Sequence, residues 1–565
     1  MSDDAVPAAT GEPRPHTPAP WAEHHLAIPP ARPATDPHRH IQFDVAEDPW
    51  IRVWPKPHLT APQRQELARL LPHTPPDGPA LTGLRALFTA AHLLDRIEAD
   101  HPPVESVLRR LLAALTARIS GLDDDQANAE TWLEHREQLL DRGAFDPARV
   151  EDYFQRRCQG RWNLYGGAHP FLQDPRLASE APQLKPPARL AMNRPSGNNA
   201  AWSHLLPQDT PLTPAESVNW LLAWQGYGPS GTASTRTHGT RSDKTCNAGP
   251  YRRRVCYFPL VPGDLFATLV LSVPDSASWP TGPGPDLAPF EATDLPDPLN
   301  PQAPAGPVSL LTARTAHAVL LDGDAALGTT GCRIVWATTG GLPAANDPYL
   351  IHRSKGGPLP ADHTRQTWRD LDALLLKERP GKETAYRPAI FNTIADLPVP
   401  LIKTLAVRAL GWDQGFDDRN RQWSAATTPP VLACIEEHDP QAAATVAAAR
   451  EQAEALGHTL RKTLLDAWTE ATEPTGATPN GDAKRRSEGF LDRAMTHYWQ
   501  LAEDEFWTCL NNTDHQPAYR HAALEVFDTA AASLKNTTQG IQAAARARAR
   551  LATPPRTRKA PAKTR

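Results

Sequence analysis

The chain has 565 residues, of which 40% are hydrophobic, and a formal net charge of −5. This length predicts more than one domain and a sizeable buried core. No run of eighteen apolar residues is present, which argues against a membrane span. The amino terminus lacks the basic and apolar parts of a secretory signal. The six cysteines are scattered and form no C-x-x-C pair. We therefore expect a cytoplasmic protein with reduced thiols and no zinc ribbon.

The residue pattern divides the chain into four parts. Residues 1–40 are rich in Pro, Ala and His without a period, which predicts a disordered tail. Residues 41–429 alternate strand and helix signals, including a strand at FDVAEDPWIRVW and a hairpin from TAHAVLLDGD to TTGCRIVWATT. A helical face is predicted at 104–115 and a short helix at 364–378, and VPGDLFATLVLSVP fits either a strand or a short helix. Residues 430–551 have helical spacing, at roughly 431–471, 484–511 and 517–550, which is typical of a bundle of three or four helices. Residues 552–565 form a basic, disordered tail. The fold class is therefore α+β, with a mixed α/β domain followed by a helical bundle.

A capped helix leads into a glycine-rich stretch. In LTPAESVNWLLAWQGYG, Thr213 and Glu216 form a capping box. The helix runs into GYGPSG, with glycines at Gly226, Gly228 and Gly231. The stretch fits G-x-G-x-x-G, but a dinucleotide site needs this pattern between a strand and a helix. Its glycines permit close approach by another backbone, including a DNA strand. The alternative is a flexible loop without a ligand, and residues 226–254 are predicted to be irregular.

Two other stretches offer candidate contact residues. NRPSGNNAAWSHLLP contains Asn198, Asn199 and Trp202. Asparagine amides read base edges or satisfy loop carbonyls, and tryptophan stacks on a base or fills a core pocket.

WDQGFDDRNRQW is predicted to be a hairpin with Gln414, Gly415 and Phe416 near its tip. Such a tip can act as a wedge between base pairs, and an ordinary hairpin is the alternative.

Charge is unevenly distributed along the chain. Residues 529–565 contain no acidic residue, and the stretch from 236 to 254 is basic. Local basic segments indicate contact with nucleic acid, and solvated faces are the alternative. The basic DNA-contact candidates are Arg236, Arg241, Lys244, Arg252, Arg253 and Arg254. No H-E-x-x-H, G-x-S-x-G or P-loop motif is present, so we predict no catalytic residue, cofactor or metal.

The order of these motifs resembles the CasA family, the large subunit of the type I-E Cascade CRISPR surveillance complex. The matching pieces are DPWIRVW, HPFLQ, RPSGNNAAWSH, LTPAESVNWLLAWQGYG, DPYLIHR, TWRDLDALL, the WDQGFDDRNRQW hairpin and the helical C-terminus. Together they span roughly residues 43–550. The resemblance implies a mixed α/β domain followed by a four-helix bundle.

The resemblance also implies a function without catalysis. The family's subunit inspects the protospacer-adjacent motif (PAM) of double-stranded DNA, largely from the minor groove, and helps to open the duplex. Its implied partners are the CRISPR guide RNA, the small-subunit dimer, the backbone subunits, the 5′-end subunit and a helicase–nuclease effector that it recruits.

Carried over by residue, the glycine-loop role falls on Gly226, Gly228 and Gly231, and the wedge falls on residues 413–417 with Gln414. The loop holding Asn198, Asn199 and Trp202 corresponds to the part that docks toward guide RNA and neighbouring subunits. Pro229 interrupts the glycine stretch and removes one backbone donor. The family's minor-groove lysine has no counterpart at 322–333, where Arg333 is the basic residue.

Two other functions stay open from the residues alone. The chain is an alternative candidate for a nucleic-acid hydrolase with an unrecognised metal site. It is also a candidate for a purely structural scaffold of a ribonucleoprotein.

Overall fold

The computed structural model describes residues 42–75, 78–124, 127–194, 207–380, 383–414, 420–473, 481–512 and 516–553. The strands are β1 (Ile51–Pro55), β2 (Ala80–Thr82), β3 (Leu94–Glu98), β4 (Gly231–His238), β5 (Arg241–Cys246), β6 (Val255–Leu260), β7 (His317–Asp324), β8 (Gly328–Trp336), β9 (His352–Arg353), β10 (Gly357–Pro358), β11 (Glu378–Arg379), β12 (Ala385–Tyr386), β13 (Ala406–Gln414) and β14 (Asn420–Thr427). The helices are α1 (Ala61–Leu70), α2 (Leu84–Ala90), α3 (Pro102–Ser120), α4 (Ala129–Arg142), α5 (Pro147–Glu151), α6 (Leu177–Glu180), α7 (Pro214–Tyr227), α8 (Leu265–Leu271), α9 (Pro307–Thr312), α10 (Leu371–Leu375), α11 (Val399–Ile402), α12 (Pro440–Thr472), α13 (Gly481–Asn511), α14 (Tyr519–Ala531) and α15 (Thr538–Ala552).

The strands form small antiparallel sheets. Two sheets have three strands, in the orders β2-β1-β3 and β14-β13-β6, and one has four, in the order β10-β9-β12-β11. β4 pairs with β5, and β7 pairs with β8. The hairpin predicted from TAHAVLLDGD and TTGCRIVWATT is confirmed as β7–β8, and the hairpin predicted from WDQGFDDRNRQW is confirmed as β13–β14.

Helix α3 lies at the centre of the α/β part. Nearly all of its residues are buried, because α7, α8, α9 and β13 pack around it. Gly121 ends the helix at φ +83°, the left-handed conformation that glycine adopts at helix C-termini.

A buried ion pair ties α3 to the loop before β9. Arg110 is fully buried and donates to both carboxylate oxygens of Asp347, at 2.7 and 3.0 Å. Its guanidinium lies 3.7 Å from the centre of the Tyr251 ring. Burial alone lowers the pKa of Arg110, but the negative charge of Asp347 outweighs burial and raises it well above its ordinary value.

The C-terminal helices confirm the predicted bundle. α12 contacts α13, α14 and α15, and its first turn is capped by Asp439, whose side chain accepts from the Ala442 N–H at 2.9 Å. Alanines on the inner face allow close helix packing. At Gly457 an added Cβ would lie 2.7 Å from the Trp499 ring. The third predicted helical stretch, 517–550, is two helices, α14 and α15.

One local prediction was wrong, and two were correct only in part. The stretch 226–254 is not irregular, because Gly231–His238 and Arg241–Cys246 pair as β4–β5. The strand signal over 43–54 produces only Ile51–Pro55, since residues 45–48 form a turn in which the Ala46 and Glu47 N–H groups donate to the Asp44 carboxylate. The predicted helix over 364–378 is reduced to α10, preceded by a 3-10 turn at Thr367–Asp370. The ambiguous segment VPGDLFATLVLSVP forms helix α8, capped by Asp264.

What the sequence predicts for the chain ends and for the domain boundary stays a prediction. The 1–40 tail and most of the 552–565 tail lie outside the described residues. None of the helices formed by the described residues is long and apolar enough to cross a membrane.

Removing the Arg110 guanidinium should strongly destabilise the α/β part. In Arg110→Met the Asp347 carboxylate stays buried without its cation, which costs about 3–5 kcal/mol of unfolding free energy. Chemical denaturation followed by fluorescence measures this change. The control is Arg461→Met, which breaks an exposed pair with Asp492 and should change the free energy by less than about 0.5 kcal/mol. Equal changes in unfolding free energy for the two variants would contradict the stabilising role of the Arg110–Asp347 pair.

Candidate nucleic-acid interface

The structure brings together two of the predicted site segments. The Gln414 side chain at the end of β13 donates from Nε2 to the Tyr227 carbonyl at 3.4 Å. The Tyr227 ring lies 5.9 Å from the Trp412 ring, centre to centre. The glycine segment, Gly226–Gly231, therefore contacts the base of the β13–β14 hairpin.

Helix α7 sets the position of the glycine segment. The predicted capping box is present, with Thr213 Oγ1 accepting from the Glu216 N–H at 3.2 Å and Glu216 accepting from the Thr213 N–H at 2.8 Å. At the other end, the Tyr227 hydroxyl donates to Ser106 Oγ on α3 at 2.9 Å. Burial raises the pKa of Tyr227 well above its ordinary value, so the hydroxyl keeps the proton that it donates.

Two of the three glycines serve packing inside the fold. Gly226 and Gly228 are buried, and their carbonyls accept from Tyr251 and Gly249 at 2.9 and 2.8 Å. An added Cβ at Gly226 would lie 2.6 Å from Val107 Cγ2, and one at Gly228 would lie 2.3 Å from His317 Nδ1. Glycine is needed at both positions because neighbouring groups occupy the space of a side chain.

Gly231 differs from the other two glycines. It is exposed, has φ +131°, and would have no atom within 4 Å of an added Cβ. Pro229 and Ser230, just before it, are half-buried. The surface offered by the glycine segment is therefore limited to Pro229–Gly231.

A buried histidine holds this surface in place. His317 on β7 is 1% exposed and contacts the Pro229 carbonyl through Nε2 at 2.9 Å. Burial lowers the pKa of His317 to about 4, so the ring is neutral at pH 7 and Nε2–H is the donor.

Aromatic rings form the base of the hairpin. Trp412 and Trp423 lie opposite each other in the β13–β14 register, with ring centres 5.6 Å apart. His101 lies between Trp423 and Trp220, at 4.9 and 4.7 Å. Gln414 is fully buried, so its side chain belongs to this base and not to a protruding tip. Gly415 and Phe416 lie outside the described residues.

The base of the hairpin carries a group with metal-ligand chemistry. His363 Nδ1 lies 2.7 Å from Asp413 Oδ2. One ligand atom each from Asp362, His363 and Asp413 lies within 4.8 Å of the others. Sequence analysis missed this group because His363 and Asp413 are 50 positions apart and only the fold brings them together.

The docking-loop candidates Asn198, Asn199 and Trp202 lie outside the described residues. Arg333 lies within strand β8 and not in the turn at 325–327.

The basic candidates fall into two groups. Arg236 is completely buried, and its guanidinium pairs with Asp174 at 2.8 Å and Glu180 at 2.6 Å. Its assignment as a DNA contact is corrected, because two carboxylates that are distant in sequence enclose it. Arg252 is also buried and donates to Ser230 Oγ at 3.4 Å.

The other basic candidates reach the surface. Arg241 and Lys244 are exposed on β5, where Arg241 pairs with Asp243 at 2.6 Å. Arg253 has φ +61° and is half-buried. Arg254, also half-buried, donates to the Pro358 carbonyl at 2.6 Å.

Substitution at Gly228 should act on stability. In Gly228→Ala the Cβ overlaps the His317 ring, and such overpacking costs about 1–3 kcal/mol of unfolding free energy. Gly231→Ala has free space and should cost only about 1 kcal/mol, from its positive φ. Thermal denaturation of both variants measures the difference. A Gly228→Ala protein as stable as Gly231→Ala would contradict the packing role.

The neutral state of His317 predicts a pH-dependent stability. The unfolded chain binds a proton near the ordinary pKa of 6.5, whereas the folded chain binds it only near about 4. Stability is therefore fully present above pH 6.5 and falls as the pH is lowered toward 4, by up to about 3 kcal/mol.

His317→Gln tests this prediction because glutamine keeps a side-chain N–H donor but does not titrate. Denaturation from pH 7.5 to 4 should show a steeper loss for the unsubstituted protein than for His317→Gln. If stability falls equally with pH in both proteins, groups other than His317 cause the loss of stability.

Comparison with known proteins gives consistent results. The family model described as CRISPR-associated protein Cse1 matches residues 71–547. The CRISPR-associated protein CasA/Cse1 of Thermus thermophilus is 28% identical over 307 residues. That aligned segment covers 52% of this chain and 57% of the relative's length.

Solved structures extend the likeness over most of the chain. A chain in a structure described as a CRISPR RNA-guided surveillance complex is 33% identical, with a TM-score of 0.75, and the match covers 90% of this chain and 99% of that one. Thermobifida fusca Cse1 is 19% identical with a TM-score of 0.67, covering 91% of this chain and 98% of that one, and it supports the fold alone. The sequence-based resemblance to CasA is therefore confirmed, and the chain belongs to the CRISPR-associated Cse1 family.

Proposed function

We propose that this chain is the DNA-sensing large subunit of a type I-E RNA-guided surveillance complex. In this role it reads the PAM beside the target, mainly through the minor groove, and helps to open the duplex for guide RNA pairing. The 33% identical chain in a solved RNA-guided surveillance complex supports membership of such an assembly.

The observation that carries the proposal is the contact between the glycine segment and the base of the β13–β14 hairpin. Gln414 bonds to Tyr227, 187 positions earlier in the chain. Inserting a protein element between base pairs costs a few kcal/mol of unstacking per step. An element that inserts between base pairs needs a firmly packed base, so that the base pairs separate and the element does not bend. The Trp412–Trp423 pair and the His101 ring supply such a base.

Charge next to the glycine segment supports duplex binding. β4 begins at Gly231, which pairs with Cys246, and the exposed Lys244 lies two residues before Cys246 on β5. The exposed Arg241 lies at the far end of this hairpin, opposite His238. Basic side chains beside a groove-facing surface hold phosphates and fix the register, while the groove contacts discriminate among sequences. Minor-groove reading mainly separates A·T from G·C, so we expect tolerance of several flanking motifs.

We also propose the partners that the resemblance implies for this role. They are the CRISPR guide RNA, the small-subunit dimer, the backbone subunits, the 5′-end subunit and the recruited helicase–nuclease. Asn198, Asn199 and Trp202 are the proposed contacts toward guide RNA or a neighbouring subunit.

Flank discrimination by the reconstituted complex tests the proposal. Duplex targets with a matched protospacer and a randomised flanking trinucleotide are bound by the guide-RNA complex with and without this chain, at fixed salt. Adding the chain should create a preference for some flanks. Phe416→Ala should slow duplex opening and leave the flank preference in place.

Lys244→Gln should weaken binding to all flanks alike and reduce the slope of log affinity against log salt by about 0.9. Arg461→Gln on the bundle is the matched control, because Arg461 is exposed and paired with one carboxylate. If the chain changes neither affinity nor flank preference, it is a structural scaffold.

The Asp362–His363–Asp413 group favours one alternative, a metal-dependent nucleic-acid hydrolase. This alternative predicts cleavage of DNA or RNA by the purified chain with Mn²⁺ or Zn²⁺, and loss of cleavage in Asp413→Asn. The proposed role predicts no cleavage and, within the complex, a flank preference that does not depend on added Mn²⁺ or Zn²⁺.

A further inference from the structure

Two carboxylates and one imidazole meet beside the β13–β14 hairpin, where Asp413 comes close to Asp362 and His363. One ligand atom from each side chain lies within 4.8 Å of the other two. Within the part of the chain that the structure describes, no other three His, Cys, Asp or Glu side chains come together in this way. The group therefore has the donor atoms and the spacing that a metal ion needs.

The backbone holds both sides of the group on one sheet. Asp413 belongs to β13, which pairs with β6. The segment that leads to Asp362 is fixed to the residues just before β6, because the Ala361 N–H donates to the Arg253 carbonyl at 2.8 Å. The fold thus brings the donor atoms together before any ion binds, which reduces the conformational entropy that binding would cost.

Each carboxylate of the group has one oxygen that the protein does not use. Asp413 is 8% exposed, and both of its contacts with His363, the backbone N–H at 3.4 Å and Nδ1 at 2.7 Å, use Oδ2. Asp362 accepts from the Thr364 N–H and hydroxyl at 2.9 and 2.6 Å, and both bonds use Oδ1. No described residue donates to Asp413 Oδ1 or to Asp362 Oδ2. A carboxylate oxygen in a mostly buried residue without a donor is costly, so a cation at Asp413 Oδ1 gains binding energy.

An ion can reach this group from solvent. Asp413 Oδ1 is not among the completely enclosed polar atoms of the described residues. Asp362 and His363 are both exposed. The group therefore combines one mostly buried ligand with two ligands that face the solvent.

A second imidazole–carboxylate pair shows how the protein closes such a contact by itself. His238 Nδ1 lies 2.7 Å from Glu180 Oε1, the same separation as between His363 Nδ1 and Asp413 Oδ2. The other oxygen of Glu180 accepts from Arg236 at 2.7 Å. A guanidinium thus supplies the positive charge at Glu180, whereas no described residue supplies one at Asp413 Oδ1.

We propose that Asp362, His363 and Asp413 bind a divalent transition-metal cation, for which zinc is the best fit, and that the ion fastens residues 360–363 to the hairpin. One imidazole nitrogen and two carboxylate oxygens match zinc sites with three protein ligands, in which water completes the coordination. Zinc bonds of ~2.0–2.2 Å hold the donor atoms roughly 3–4 Å apart, so these side chains need only small adjustments. Ca²⁺ and Mg²⁺ fit less well, because they prefer oxygen ligands alone.

The ion has a structural role in this proposal. Asp413 directly precedes Gln414, whose side chain donates to the Tyr227 carbonyl. A metal bond at Asp413 would add a second tie at the same end of β13. The inference depends neither on flank reading nor on cleavage, because it is tested on the chain without nucleic acid.

Zinc binding by the purified full chain tests the inference. The chain is stripped with EDTA, and Zn²⁺ is titrated in competition with a chromophoric indicator. Asp362→Asn and His363→Gln should each weaken one zinc equivalent at least about tenfold, since even an outer partner of a metal ligand contributes roughly 10–100-fold to affinity. Asparagine at position 362 keeps the acceptor for Thr364, so this variant should remain folded.

His238→Gln is the matched control, because it removes an imidazole from a pair of the same separation and should leave zinc affinity unchanged. Saturating Zn²⁺ should raise the melting temperature of the unsubstituted chain and of His238→Gln by about 2 °C or more, but not that of His363→Gln.

Equal zinc affinity of His363→Gln and His238→Gln would overturn the proposal and assign the bound zinc to other histidines of the chain. Displacement of Zn²⁺ by equimolar Ca²⁺ would overturn the choice of a transition metal. Neither result bears on the flank assay, which measures duplex preference in the assembled complex.

Discussion

The buried Arg110–Asp347 ion pair is the interaction on which the α/β part depends. A charge in the interior is tolerated only when a partner and further contacts satisfy it, and here Asp347 and the Tyr251 ring do so. Tyr251 in turn donates its N–H to the Gly226 carbonyl. A continuous set of contacts therefore runs from the central helix to the glycine segment and, through Tyr227 and Gln414, to the base of the hairpin.

In this arrangement, two of the three glycines serve packing and do not face a ligand. Gly226 and Gly228 allow the backbone at 249–251 and the His317 ring to approach closely. They shape the platform beneath the candidate interface, and only Pro229–Gly231 reaches its surface. A substitution at Gly226 or Gly228 would thus act on the candidate interface through packing, and its effect is distinct from the loss of a direct contact.

Residue patterns correctly predicted the helices and strands whose buried side chains recur with the spacing of that helix or strand. α3, α7, the β7–β8 and β13–β14 hairpins and the helical bundle all carry apolar or capping signals within a few residues. β4–β5 was missed because its inward positions include Ser234 and Arg236, which resemble the residues of a solvated loop. The carboxylates that satisfy Arg236 lie 56 and 62 positions earlier in the chain.

The sequence by itself determined the fold class, the helical C-terminus, the capped helix leading into the glycine segment and the resemblance to CasA, because each depends on residues that are close together along the chain. Only the tertiary structure decided which charges are available to a ligand. It buried Arg236 and Gln414, brought His363 next to Asp413, and gave Arg254 and Arg314 backbone carbonyls as partners. The physical reason is that the availability of a charge depends on partners and solvent exposure, which distant segments of the chain supply.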